Sequence, residues 1–234
     1  MKVVILQPGY LPWCGFFEQM NWADIFVFYD DVQYTKNDWR NRNRVKGPNG
    51  PVWLTVPVTA HHSDMILDVK MPDKNTWAVK HIKTIQNFYS KAPFFNDYFP
   101  DIAGLIAGVY PRLLDLNVAL IEYLNHCLGI KTQLFFSSQL AVSGERTQKL
   151  VDICVKLGAS EYLSGSAAQD YLNLDLFAQK QITVHFQEYH HPVYPQLYGT
   201  FIPYLSVIDL LFNCGQESLE YISGRKNNGK MDVN

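Results

Sequence analysis

The sequence predicts an α/β fold with a mostly parallel sheet. Two observations carry that expectation. Apolar runs of strand length, Val3-Val4-Ile5-Leu6 first among them, alternate with stretches whose apolar residues recur at helical spacing. Such alternation builds strand-helix-strand units with right-handed crossovers. One exception stands out: Gly47-Pro48-Asn49-Gly50 carries Gly-Pro and Asn-Gly steps between two further runs, the signature of an antiparallel hairpin.

Taken in order, Val3 to Leu6 and Ile25 to Tyr29 are predicted as short buried strands, with an aromatic helical turn from Phe16 to Trp22 between them. Asn43 to Lys46 and Val52 to Val58 form the hairpin arms, and Ile66 to Met71 reads as another strand. From Asn75 the period changes. Trp77, Val79, His81, Ile82, Ile85 and Phe88 share helical spacing, and two more helical stretches run from about Asp101 to Tyr110 and from Leu113 to Leu128. Lys131 to Val142 returns to a strand pattern. Thr147 to Leu157 puts Leu150, Val151, Cys154 and Leu157 on one helical face, Tyr162 to Gly165 and Ile182 to Phe186 read as strands, and Leu205 to Phe212 as a core helix. The expected organisation is one α/β domain over residues 1–224: an N-terminal part with the hairpin to 72, a helical insertion over 73–130 and a second α/β part over 131–224. A polar tail, 225–234, is expected to fray.

The 234 residues, 47% hydrophobic and 18% charged, suit a folded protein with a sizeable core. A formal net charge of −2 offers no global attraction to nucleic acid or to an anionic membrane, so anion binding must be local. The apolar run after Met1-Lys2 is too short for a signal-peptide core, and no window approaches the length of a membrane span. Cys14, Cys127, Cys154 and Cys214 form no CxxC pair, which argues against a zinc site and a disulfide framework. A cytoplasmic, reduced protein is expected, with Cys14 a buried structural thiol rather than a nucleophile.

Four clusters carry chemistry. The first, Gln7-Pro8-Gly9-Tyr10-Leu11-Pro12-Trp13-Cys14-Gly15-Phe16-Phe17, follows the first strand without a polar spacer, and its prolines fix the backbone where open α/β sheets bind ligands. Gln7, Tyr10 and Trp13 offer an amide, a phenol and an indole. The second runs from Asp30-Asp31 through Lys36, Trp39, Arg40, Arg42 and Arg44; its acids suit a base, its cations a phosphate or carboxylate, and Trp39 a flat face. A solvated charged turn is the plainer reading of the same residues. In the third, Ser164-Gly165-Ser166-Ala167-Ala168, a small-residue turn aims backbone N–H groups at an anion, or Ser164 or Ser166 simply caps a helix. In the fourth, around Tyr189-His190-His191 and Tyr194, adjacent histidines on extended chain point apart, so only one can serve a site. His61 and His62 are assigned to solvent, and His81 to the core.

The loop QPGYLPWCGFF, Asp30-Asp31-Val32-Gln33, the run from Lys36 to Asn43 and Trp53-Leu54-Thr55-Val56-Pro57-Val58 together resemble the WbqC-like family. The resemblance extends through Tyr162 to Gly165, Tyr189, Pro192 to Tyr194 and Leu205 to Asn213. It implies work on sugars or sugar nucleotides in bacterial surface polysaccharide synthesis of the O-antigen and lipopolysaccharide type, with aminoacyl or acyl-type transfer to a sugar as the reaction. Relatives carry a histidine where this chain has Leu6, which keeps position 6 out of the mechanism. The resulting expectation is a transferase on a nucleotide-linked or lipid-linked sugar. Asp30, Asp31 or His190 would be the base, and Gln7, Tyr10, Trp13, Lys36, Trp39, Arg40, Arg42, Ser164, Gly165 and Tyr194 would bind substrate. No metal is assigned and the cofactor is unknown. Nucleotidyl or phosphoryl transfer, a non-catalytic module binding a sugar nucleotide or a biosynthetic partner enzyme, and nucleic-acid binding through Lys36 to Lys46 are the competing readings; a homo-oligomer is left open.

Overall fold

The structure, a computed structural model, describes residues 1–61, 63–72 and 76–226. Its centre is a five-stranded sheet built from β1 (Lys2–Leu6), β2 (Ile25–Phe28), β5 (Gln133–Phe136), β6 (Glu161–Ser164) and β7 (Thr183–Phe186). The order is β5-β2-β1-β6-β7, and each neighbouring pair is parallel. A separate antiparallel hairpin pairs β3 (Arg42–Gly47) with β4 (Gly50–Thr55), closing on Pro48-Asn49.

The chain leaves β1 through α1 (Cys14–Trp22) to β2, and after a long excursion reaches β5 on the outer side of β2. It then crosses back to β6 on the other side of β1. The winding therefore reverses between β1 and β6, whose following loops part in opposite directions and leave a crevice at their carboxyl ends. The period of two along each strand divides the core. Val4, Phe26 and Phe28 face one layer with α1, while Val3, Ile5, Ile25 and Val27 face the other with α5 (Arg146–Lys156) and Phe177 of α6 (Leu174–Ala178). The first layer also holds α2 (Thr76–Tyr89), α3 (Phe95–Ala107), α4 (Leu113–Leu128), α7 (Val207–Cys214) and α8 (Ser218–Ile222). No helix among the described residues is long and apolar enough to cross a membrane.

Several expectations need correction. Ile66 to Met71 is not a strand: Ile66–Asp68 is a 3-10 turn whose amides serve the loop after β2, Ile66 N donating to Val32 O at 2.9 Å and Leu67 N to Asp30 O at 3.0 Å. Of Lys131 to Val142 only β5 is strand. Its partner β2 is itself four residues long, and beyond it Ser137–Leu140 turns as a 3-10 segment. α3 begins at Phe95 rather than about Asp101, carrying Pro100 inside it, where one intrahelical N–H is given up. At the start of the expected tail Lys226 pairs with Glu217 at 2.6 Å; 227–234, like His62, lie outside the described residues. His81 is buried as expected and shares a 3.0 Å hydrogen bond with Tyr10.

The hairpin is tied down by a buried carboxylate. Asp209 of α7, fully buried, accepts from Tyr89 Oη at 2.7 Å, Tyr194 Oη at 2.9 Å and Gln196 Nε2 at 2.8 Å. Tyr89 in turn accepts from Lys46 N of β3 at 2.7 Å, and the buried Lys46 Nζ donates to Gln196 Oε1 at 2.9 Å and Thr200 O at 2.6 Å. Burial pushes the Asp209 carboxyl up to about 6 even though these donors and Lys46 favour its ionised form.

That shift gives stability a sign with pH. Between the unfolded carboxyl's range near 4 and about 6, the native state holds a proton that the unfolded chain has lost, so stability falls as pH rises through this window and then levels. The expected loss is on the order of 3 kcal/mol. Urea denaturation between pH 4 and 8 should show this slope in the native sequence and little of it in Asp209→Asn. An undiminished slope in the variant would assign it elsewhere, Glu18 being another carboxyl that burial raises.

A candidate ligand-binding crevice

The loop leaving β1 is over-determined. Leu11 is buried with φ of 44°, a left-handed conformation that a leucine holds only where its surroundings enforce it. Asn43 Nδ2 donates to Leu11 O at 2.7 Å, Tyr10 N donates to Trp39 O at 3.1 Å, and Asn117 Nδ2 spans Pro8 O at 3.3 Å and Arg40 O at 2.8 Å. The segment 37–41 is thereby laid over the loop after β1. Gly9 permits the approach: a Cβ there would stand 3.0 Å from Trp39 O.

Between this double loop and the turn after β6 lies a crevice of about 700 Å³. Gln7, Trp13, Trp39 and Arg40 line one wall; Ser164, Gly165, Ala167 and Tyr171 line the other, and Arg146 and Thr147 at the start of α5 complete it. Arg40 donates to Gln7 Oε1 and pairs with Asp38. Arg146 is exposed, makes no ion pair among the described residues, and adopts φ of 52°. Trp13 packs on Gly15, where a Cβ would meet its ring at 2.3 Å, and stands edge-on to Tyr189 at 4.9 Å between centroids. Among the described residues no carboxylate or histidine lines the crevice. Two guanidinium groups, two indoles and neutral amides therefore define it as a place for an anion attached to a flat or apolar body.

The structure gathers Gln7, Trp13, Trp39, Arg40, Ser164 and Gly165 here. It places the other expected site residues elsewhere. Tyr10 is fully buried against His81, and Tyr194 is buried on Asp209, so neither can pack on a ligand. Asp30 is 2% exposed and accepts from Ser137 Oγ at 2.9 Å, Ser138 N at 3.0 Å and Ser138 Oγ at 2.7 Å, beside a smaller cleft of about 330 Å³. Asp31 pairs with Lys149 at 2.8 Å. His190 and Lys36 are exposed but line neither cleft, and Arg42 lies over Trp53 on the outer face of the hairpin. Neither Ser164 nor Ser166 caps the turn after β6; Gly165 occupies the cap position of Ser166–Asp170 without a side-chain bond. Cys14 is buried and its thiol is pushed well up by desolvation, so it is held as a neutral core group. No group of three or more His, Cys, Asp or Glu that could hold a metal ion occurs among the described residues.

Arg146 and Tyr171, with Gln19, Tyr29 and Thr147, are among the lining residues that sequence reasoning missed. Arg146 belongs to the helix start after Gly144-Glu145, and only the crossing from β5 back to β6 brings that start to the end of β1.

A doubly wound α/β protein with its crevice at the switch point is the class this geometry defines. The family model of the WbqC-like protein family matches residues 7–221, and the chain belongs to that family. The chain is also similar to the uncharacterized protein Rv1507c of Mycobacterium tuberculosis, at 36% identity over 228 residues, covering 94% of this chain and 97% of that protein.

The Asp30 and Asp31 carboxylates share the single hydroxyl proton of Ser137, which also accepts from Asp30 N at 3.1 Å. Removing that hydroxyl strands buried polar groups, so Ser137→Ala is expected to cost about 1–3 kcal/mol. The urea midpoint measures it; an unmoved midpoint would make these contacts dispensable.

Proposed function

We propose that the crevice binds a nucleotide-linked sugar and that the protein is a transferase of bacterial surface polysaccharide synthesis. The carrying observation is the switch-point crevice lined by Arg40, Arg146, Trp13 and Trp39, with no carboxylate among its described lining residues to repel a diphosphate. The arginines neutralise the phosphates while an indole packs on the base or sugar. Membership of the WbqC-like family and its implied link to O-antigen sugars support the same assignment.

An acyl or aminoacyl transfer to a sugar amine suits such a site. The neutral amine attacks the acyl carbon, the C–N bond forms, the bond to the donor's leaving group breaks and the nitrogen's surplus proton passes to solvent. No protein base is required, which fits the placement of Asp30, Asp31 and His190 outside the crevice. A second reading draws on the same lack of carboxylates and histidines among the described lining residues: a non-catalytic module that holds a sugar nucleotide for a partner enzyme.

Thermal shift against a panel of nucleotide-linked sugars tests the binding. A sugar nucleotide at 100 times its Kd should add about 2.7 kcal/mol of stability. Losing one charged contact costs about 1.5–3 kcal/mol, so Arg40→Ala and Arg146→Ala should each weaken binding at least tenfold. Stabilisation by no member of the panel, or equal stabilisation of both variants, would sink the assignment. Product formation by the protein alone with a bound sugar nucleotide separates the transferase from the module.

A further inference from the structure

One face of the hairpin turns away from the core. Along β3 and β4 the inward side chains are Asn43, Val45 and Leu54, all buried, while Arg42, Arg44, Trp53 and Thr55 point outward. Arg44 stands directly opposite Trp53 in the register. Trp39, from the segment over the crevice loop, leans on the same face with its ring 5.4 Å from that of Trp53 and inclined by 35°. Trp39 is 47% and Trp53 46% exposed, a large apolar area to leave in water.

Both indoles are backed by cations. Arg42 Cζ lies 4.6 Å from the Trp53 ring centroid, and Arg44 Cζ lies 5.6 Å from Trp53 and 6.0 Å from Trp39. Among the described residues neither arginine pairs with a carboxylate; Asp38 is taken by Arg40. Arg42 Nη2 donates to Asn37 O and Arg44 Nη2 to Tyr204 O, each a single neutral bond for a group of five donors. Their charge remains available. Trp39 also lines the crevice, so the shelf begins where the crevice ends.

We propose that this shelf is a second binding site, for an acidic oligosaccharide whose end reaches the crevice. The glycan site does not rest on the sugar-nucleotide reading of the crevice. A pyranose ring presents an apolar C–H face that packs on an indole, and two rings 5.4 Å apart match successive sugars of a chain better than one small ligand. Arg42 and Arg44 select carboxylate-bearing sugars over neutral ones by charge. A single-stranded nucleic acid would also stack on indoles, but it needs a basic track, and this chain carries a net charge of −2, with Arg42 and Arg44 the cations that touch the two rings.

The test titrates the full chain, followed by tryptophan fluorescence and calorimetry, with oligogalacturonate, with maltohexaose and with oligo-dT. Oligogalacturonate should bind at least tenfold more tightly than maltohexaose, and excess of a nucleotide-linked sugar should leave that binding in place. Trp53→Ala should weaken it tenfold or more. Arg42→Gln combined with Arg44→Gln should remove the preference over maltohexaose while both rings are kept, and an unchanged melting temperature certifies each fold. No measurable binding of oligogalacturonate, binding indifferent to Trp53 in a folded variant, or tighter Trp53-dependent binding of oligo-dT would each overturn the proposal. Loss of sugar-nucleotide binding with glycan binding intact overturns only the crevice reading, and the converse overturns only this one.

Discussion

The buried Asp209 carboxylate is the constraint from which the site follows. A hairpin outside the main sheet has no ladder partner to hold it, and two strands alone are marginal in water. Here Asp209 gathers Tyr89 from α2, Tyr194 and Gln196 from the segment after β7, and through them Lys46 of β3. Such a buried network is weak evidence of net stability, because desolvating the carboxylate offsets much of what its donors return. Its stronger consequence is register. With Lys46 fixed, Asn43 and Arg44 fall where they clasp Leu11 O and Ser206 N, and the hairpin is locked to the loop after β1.

That lock explains how a left-handed Leu11 persists. Pro12 bars the helical region to the residue before it, and burying the Leu11 side chain fixes which way the chain turns. The strain is carried by the amides of Asn43 and Asn117, which join three segments distant in sequence. Arg146, which also lines the crevice, likewise has a positive φ at the start of α5. Both left-handed residues flank the crevice, where a rigid scaffold can hold a conformation that free chain would abandon.

Local pattern was legible because local physics decides it. The buried strands β1 and β2, the hairpin with its Gly-Pro-Asn-Gly turn and the helix from Leu113 to Leu128 each follow from side-chain period or turn chemistry within a few residues. Ile66 to Met71 misled because its apolar residues are as strand-like as any; its amides were claimed by the loop after β2. The site was half legible for the same reason. The loop after β1 announces itself, yet whether Tyr10 faces ligand or His81 depends on a helix 71 residues further on. The acids Asp30 and Asp31 look catalytic until Ser137, Ser138 and Lys149 arrive from the far side of the helical insertion to occupy them.

The two crevice arginines are not equivalent. Arg40 is already oriented by Gln7 and Asp38, so an anion meeting it costs little side-chain entropy, but it shares the guanidinium with a carboxylate that cancels part of its charge. Arg146 has the opposite character. It is exposed and unpaired among the described residues, so binding must order a long side chain, and in return its full charge is available. On the proposed reading, such a crevice would take its orientation from Arg40 and its attraction from Arg146, and would distinguish ligands by how far apart they carry an anionic group and an apolar face, which a protein of net charge −2 cannot do by its overall field.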